Sequence, residues 1–159
     1  MGAIDIGAAA INRGSVNGGL TTFISVDNPA NDTGTITSFE VYLNSDATSY
    51  KFGTFYGSGT SYTWRDYESG GAIASGSKQT LTGLNCTVSS GDFVGATIGG
   101  TNPFERDTSG YGGLYYRSGD QFLNSGAQTY TLLSGDAISL YGTGVTVAAG
   151  NPYYYYLNQ

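Results

Sequence analysis

The chain has 159 residues, of which 39% are hydrophobic and 11% are charged, and its formal net charge is −6. This length supports one domain with its own hydrophobic core, and 14 tyrosines beside so little charge exclude a disordered chain. The six basic residues are scattered singly, which disfavours nucleic acid and anionic membranes as partners, and no stretch approaches the roughly 20 apolar residues of a membrane span.

Short segments of strand-like sequence, separated by turn formers, follow one another along the chain. The clearest is residues 35–43, where Phe39, Val41 and Leu43 fall on one face of a strand with period two. Segments 49–56 and 61–67 predict a hairpin around Gly57 to Thr60. The predicted strands, about ten in all, are residues 20–26, 35–43, 49–56, 61–67, 78–84, 85–88, 92–98, 112–116, 128–133, 137–141 and 145–148.

Helical periodicity is almost absent, and only residues 8–12 could form a single turn. Strands without crossover helices pair antiparallel, as in a sandwich, jelly roll or barrel. Gly- and Asn-rich connections between tight hairpins favour the jelly roll with its Greek-key crossovers. We therefore predict an all-β fold, a single antiparallel β-sandwich of jelly-roll type over residues 1–159, with residues 150–159 as a C-terminal assembly segment.

The sequence contains no histidine, which excludes Ser-His-Asp and Cys-His catalysis and nearly all catalytic zinc sites. Asp66 and Glu68 could serve a glycosidase, being on one strand face roughly 7 Å apart, but the solvated edge of a hairpin explains them more simply. Glu105 to Asp107 is expected to be a loop with balanced charge. We expect no enzymatic activity, no catalytic residue and no cofactor.

One loop contains possible metal ligands, and the chain has a single thiol group. Asp27, Asn31 and Asp32, with Asn28 between them, are calcium candidates because hard oxygen ligands crowd this loop, although such residues also form turns. Cys86 is the only cysteine, so no disulfide can form within the chain, and we expect it to be a small apolar side chain on a strand face.

Aromatic residues are concentrated in the central strands. Trp64, Tyr62, Tyr67 and Tyr115 are candidates for glycan binding, because aromatic rings stack on sugars and tyrosine adds a hydroxyl. Cross-strand aromatic packing is the alternative explanation, since strands favour it in any case.

The tyrosine-rich segment near the end of the sequence is a candidate assembly interface. A strand with four consecutive tyrosines presents two on each face, and tyrosine is enriched in interface cores. We therefore expect a homo-oligomer whose contact residues are Tyr153, Tyr154, Tyr155, Tyr156 and Leu157.

Several short sequence segments resemble those of jelly-roll modules in phage virion proteins, namely decoration, tail and fibre-associated modules. They are Ala3 to Gly7 (AIDIG), Asn28 to Asn31 (NPAN), Gly34 to Ile36 (GTI), Gly91 to Gly95 (GDFVG) and Gly135 to Gly142 (GDAISLYG). The resemblance implies a non-enzymatic, self-assembling role at a particle surface and assigns no functional residue.

These observations favour a structural protein on the exterior of a virion, as a capsid decoration or tail-associated subunit, with other virion proteins as partners. The first residues lack the pattern of a secretion signal, which suits assembly in a host cytoplasm. One alternative is a carbohydrate-binding or lectin-like module with a glycan as its partner. Another is the subunit of an extracellular filament, in which a terminal strand completes a neighbour's sheet.

Overall fold

The computed structural model describes residues 2–147, and these form many strands and almost no helix. Every pairing between the named strands is antiparallel, which confirms the predicted all-β class. The strands are β1 (Ala3–Gly7), β2 (Ser15–Asn17), β3 (Thr21–Ser25), β4 (Gly34–Tyr42), β5 (Ser49–Ser58), β6 (Ser61–Gly70), β7 (Lys78–Val88), β8 (Phe93–Gly99), β9 (Phe104–Asp107), β10 (Leu114–Ser118), β11 (Gln128–Thr129), β12 (Thr131–Leu133), β13 (Ala137–Ile138) and β14 (Leu140–Thr146).

Two sheets form a sandwich with jelly-roll connectivity. The small sheet has the order β1-β14-β4-β7, and the large sheet has the order β11-β6-β5-β8-β3-β10-β12. The small sheet and the central run β6-β5-β8-β3 together have the eight-strand order of a jelly roll, in which the chain crosses repeatedly between the sheets. The predicted jelly-roll sandwich is therefore confirmed.

The long connection between β8 and β14, residues 100–139, supplies everything added to this eight-strand frame except β2. It contributes β10 and β12 at one edge of the large sheet and β11 at the other. Its strands β9 and β13 also form a third sheet with β2, in the order β13-β9-β2, and the connection contains a 3₁₀ turn at Gln121–Leu123. No helix within residues 2–147 has the length and hydrophobicity needed to cross a membrane.

The main core lies between the two sheets, where alternating apolar residues of both sheets meet. The predicted core face of β4 is confirmed, because Phe39, Val41 and Leu43 are all fully buried. Across the sandwich the Phe39 ring meets Phe52 of β5 edge to face, with 5.7 Å between ring centroids. Such contacts join the sheets in the arrangement that aromatic quadrupoles favour.

Side chains cover parts of both edges of the small sheet. On β1, Asn31 acts like a neighbouring strand, because its oxygen accepts the N–H of Asp5 (3.0 Å) and its amide donates to the Ala3 carbonyl (3.1 Å). On β7, the backbone N–H of Thr87 donates to Asp66 (2.8 Å) and that of Asn85 donates to Glu68 (2.7 Å). These contacts occupy backbone groups that would otherwise invite pairing with another chain.

The structure differs from the sequence prediction at several element boundaries. Segments 78–84 and 85–88 are one strand, β7, with an irregularity near Gly83, whose φ is +74°. Segment 128–133 is two strands on opposite edges of the large sheet, and segments 137–141 and 145–148 become β13 and β14. Residues 8–12 form no helical turn, and β1, β2 and β9 were not predicted because each is short and pairs with distant segments.

Replacing Phe39 by alanine should lower the free energy of unfolding by about 3–5 kcal/mol, because it leaves a cavity at the contact between the sheets. Leu123→Ala is the matched control, since Leu123 is 75% exposed and its loss should cost less than about 0.5 kcal/mol. Urea unfolding followed by circular dichroism measures both. Equal effects of the two substitutions would contradict this description of the core.

Candidate functional site

An aromatic cluster lies on the face of the large sheet that points away from the small sheet. Its buried members are Phe55 from β5, Tyr62 from β6 and Ile24 from β3, with Phe122 and Tyr130 from the long connection. Trp64, Tyr67, Phe93 and Tyr115 are partly buried against them. The large sheet therefore packs apolar residues on both faces.

The sheet curls around this cluster. Strands β6 and β10 are four steps apart in the sheet, which is roughly 19 Å if the sheet is flat. Yet the rings of Tyr62 on β6 and Tyr115 on β10 have centroids only 4.9 Å apart. The face that carries the aromatic cluster is therefore concave.

Two glycines at the centre of the concave face make room for the rings. Gly53 and Gly95 are paired across β5 and β8. A Cβ on Gly53 would lie 2.7 Å from the Phe122 ring, and one on Gly95 would lie 2.5 Å from the Phe55 ring. Side chains at either position would displace the rings that fill the concavity.

The 3₁₀ turn closes part of the concave face. The carboxylate of Asp120 caps the turn by accepting the N–H of Phe122 (3.0 Å), and the Phe122 ring packs on Tyr67 with 4.9 Å between centroids. The indole N–H of Trp64 donates to the carbonyl of Asn124 just after the turn (2.8 Å). The turn is thus held over the aromatic rings from both of its ends.

The four residues predicted for glycan binding all belong to this cluster. Tyr62 is only 4% exposed, so its ring packs inside the protein and is not free to stack on a sugar. Trp64, Tyr67 and Tyr115 remain partly accessible. The sequence analysis did not assign Phe93, Phe122 or Tyr130 to this cluster. The signal that could have indicated them is the glycines within two central strands, because glycine in a strand often marks a place where another group packs close to the backbone.

A cleft of about 240 Å³ opens beside the aromatic cluster. Lys51 donates to the carboxylate of Asp120 across it (2.6 Å), and their side chains are 22% and 23% exposed. The Lys51 ammonium also lies 5.3 Å from the centroid of the Tyr67 ring, a cation–π contact that connects the cleft to the cluster. No local pattern predicted this pair, because its members are 69 residues apart in the sequence.

A second polar site is a buried cluster around Arg13, which fastens the segment between β1 and β2 to β9. The Arg13 guanidinium donates to Asp107 (2.6 Å) and to the hydroxyl of Ser139 (2.7 Å), and the Arg13 backbone N–H donates to Glu105 (2.9 Å). Arg106 donates to Asp136 (2.6 Å). The expectation of a loop at Glu105 to Asp107 was wrong, since these residues form β9 and each charge is bound.

Two opposing effects act on the Asp107 carboxylate. Burial alone would raise its pKa, but hydrogen bonds from Arg13 and from the N–H of Gly14, with the charge of Arg13, hold the pKa below its ordinary value. The carboxylate therefore remains ionised and paired with Arg13 at neutral pH. This arrangement fixes structure and leaves no free acid or base for catalysis at Arg13 or Asp107.

Each calcium candidate forms hydrogen bonds with a different part of the backbone. Asp27 accepts the N–H of Gly112 (2.7 Å), Asn31 is engaged by β1, and Asp32 accepts the N–H of Thr33 (2.8 Å). In the part of the chain that the structure describes, no group of three or more His, Cys, Asp or Glu side chains is placed to hold a metal ion. These residues bind backbone groups instead.

The remaining candidates are the carboxylates of β6, the cysteine and the tyrosine-rich segment. Asp66 and Glu68 are partly exposed on the outer strand of the β5–β6 hairpin, where they accept backbone N–H groups of β7 and so connect the two sheets. Cys86 is fully buried in the main core, on a strand as predicted. The assembly candidates Tyr153 to Leu157 lie outside the described residues.

Comparisons of the chain with protein-family models, with curated proteins and with solved structures find no match in any of the three.

The Arg13 cluster should contribute strongly to stability. Arg13→Gln removes the partner of Asp107 from a site where the arginine side chain is fully buried, and should lower the free energy of unfolding by about 3 kcal/mol. Lys78→Gln is the control, because the Lys78–Glu40 pair is exposed and its loss should cost less than about 1 kcal/mol. Chemical denaturation of both variants tests this, and an Arg13→Gln cost as small as the control's would refute it.

The protein should lose stability at alkaline pH. Burial raises the pKa of Tyr62 and of Tyr130 from 10.0 to about 12, and burial with the nearby charge of Asp66 raises that of Cys86 from 9.0 to about 12. In the folded protein all three groups stay neutral up to a pH of about 12, whereas in the unfolded chain they ionise at their ordinary, lower pKa values. Their contribution to stability is therefore complete below pH 9 and is lost as the pH rises towards 12.

Thermal melts across this pH range measure the loss of stability. The double variant Tyr62→Phe with Tyr130→Phe should lose less stability than the wild type between pH 10 and 12, since two of the three groups no longer ionise on unfolding. Tyr56→Phe, at an exposed position, should behave like the wild type. A double variant with the wild-type pH dependence would show that other groups cause the loss.

Proposed function

We propose that the chain is a non-enzymatic structural subunit on the exterior of a virion, as a capsid decoration or tail-associated protein, and that it self-associates. The observation that carries the proposal is the strand order of its two sheets, because the eight-strand jelly roll recurs in viral capsid domains. One of the sequence segments that resemble phage virion modules, AIDIG at Ala3 to Gly7, forms β1 of this frame.

Charge and chemistry support the same proposal. A net charge of −6 suits a surface that faces away from a genome, since proteins that contact nucleic acid neutralise phosphates with basic residues. The absence of histidine and the engagement of Arg13, Asp107, Asp66 and Glu68 in structural hydrogen bonds favour a non-enzymatic role.

The end of β14 is a suitable place for contact between subunits. Val145 and Val147 are 42% and 67% exposed, and in the sequence Val147 comes six residues before Tyr153. Exposed apolar side chains and a nearby run of tyrosines in the sequence together have the composition of an interface core. Because side chains cover parts of the β1 and β7 edges, we expect association through side-chain surfaces more than through added strands.

Light scattering and negative-stain microscopy of the purified chain test this proposal. The full chain should form closed multi-subunit particles well above the subunit mass of 16.5 kDa, and deletion of residues 153–159 should return it to monomers. A double substitution of Leu123 and Leu132 by serine, at exposed apolar positions elsewhere, is the control and should leave assembly intact. A monomeric full chain would refute self-association, and open-ended filaments would favour the filament alternative.

A further inference from the structure

The cleft between Lys51 and Asp120 has the composition of a ligand-binding site. Its lining combines an apolar side chain with hydroxyl groups and one ion pair, in the residues Leu20, Ser49, Tyr50, Lys51, Thr97 and Asp120. Sites for small ligands join apolar contact surface to a few fixed polar groups in this way. The cleft does not depend on self-association, since one chain forms all of it.

Leu20 at the rim of the cleft is held in an unfavourable state in two respects. Its φ is +54°, in the left-handed region that a bulky L-residue rarely adopts, and its side chain is 65% exposed. Two backbone hydrogen bonds fix it there, from its own N–H to the Ile98 carbonyl (2.9 Å) and from the Gly119 N–H to its carbonyl (2.8 Å). Strain of this kind, imposed by the surrounding structure, is concentrated at binding sites.

The ion pair decides which ligands fit. Lys51 and Asp120 neutralise each other, so a charged ligand would have to displace one partner, whereas a hydroxyl group can donate to the carboxylate and accept from the ammonium at once. The exposed Ser49 adds a further hydroxyl donor and acceptor, whereas the Thr97 hydroxyl is bound to that of Thr22 (2.6 Å) and only lines the cleft. The polar lining therefore favours a neutral ligand with several hydroxyl groups.

We propose that this cleft binds a neutral hexose unit of a glycan, with Leu20 on the C–H face of the sugar ring and the Lys51–Asp120 pair on its hydroxyl groups. A pyranose ring has one side rich in C–H groups and a rim of hydroxyls, which matches this lining. The site is separate from the ring of Tyr62, which is buried in the aromatic cluster. It adds a ligand to the proposed structural role and is independent of it.

Saturation-transfer difference NMR with maltose, cellobiose and lactose tests the proposal, and it works for a monomer or an assembly. At least one disaccharide should receive saturation from the wild-type chain, most strongly at its C–H protons. Leu20→Gly should weaken that affinity roughly tenfold, because it removes the apolar contact, while the melting temperature stays at or above that of the wild type since glycine relieves the strain.

Asn102→Gly is the matched control, because Asn102 also has a positive φ (+50°) but does not line the cleft, and it should bind like the wild type. Leu20→Asn serves as a second variant if Leu20→Gly fails to fold, since asparagine tolerates the same φ and is polar. No saturation of any of the three sugars, or an unchanged affinity in the folded Leu20 variant, would overturn the proposal.

Discussion

The large sheet is buried on both of its faces, and the rest of the structure depends on that constraint. On one face Phe52 packs against Phe39 of the small sheet, and on the other Phe55 packs against Phe122. Three positions separate Phe52 from Phe55, so strict alternation would already place them on opposite faces. A simple sandwich needs only the first of these cores; the second requires a cover, which the long connection between β8 and β14 supplies.

An irregularity in the pairing of β5 with β6 lets the edge of the large sheet contact the small sheet on one face and the aromatic cluster on the other. Thr54 is paired with Asp66 and Phe55 with Trp64, so Arg65 is an extra residue in β6. Asp66 can then reach the backbone of β7 while Trp64 joins the aromatic cluster, and Arg65 forms two hydrogen bonds with the buried Asp92. Bulges re-aim side chains at sheet edges in this manner.

Polar clusters fasten the segments outside the eight-strand frame in place, and each cluster uses residues distant in the sequence. Arg13 joins the segment after β1 to β9, and Asp120 joins the 3₁₀ turn to Lys51 of β5. Because the Arg13 side chain is fully buried and a buried charge without its partner is costly, this cluster holds its segment in one position. The Lys51–Asp120 pair is partly exposed, but Asp120 also caps the 3₁₀ turn, so the pair joins that turn to β5 and forms the cleft before any ligand binds.

The sequence alone determined the properties that depend on local patterns. Period-two alternation identified the all-β class and the buried face of β4, glycines located the hairpin between β5 and β6, and a single cysteine excluded an internal disulfide. Aromatic composition also selected four members of the cluster, because strands rich in large apolar residues must bury them somewhere. These features are set by neighbours within a few residues.

Only the tertiary structure decided which distant segments meet. It divided residues 128–133 between opposite edges of one sheet, turned Glu105 to Asp107 into a strand, and brought Lys51 to Asp120. It also decided that Tyr62 is buried and that Leu20 is exposed with a left-handed backbone. The physical reason is that pairing register, sheet curvature and backbone strain arise from contacts between strands, about which the alternation within one strand carries no information.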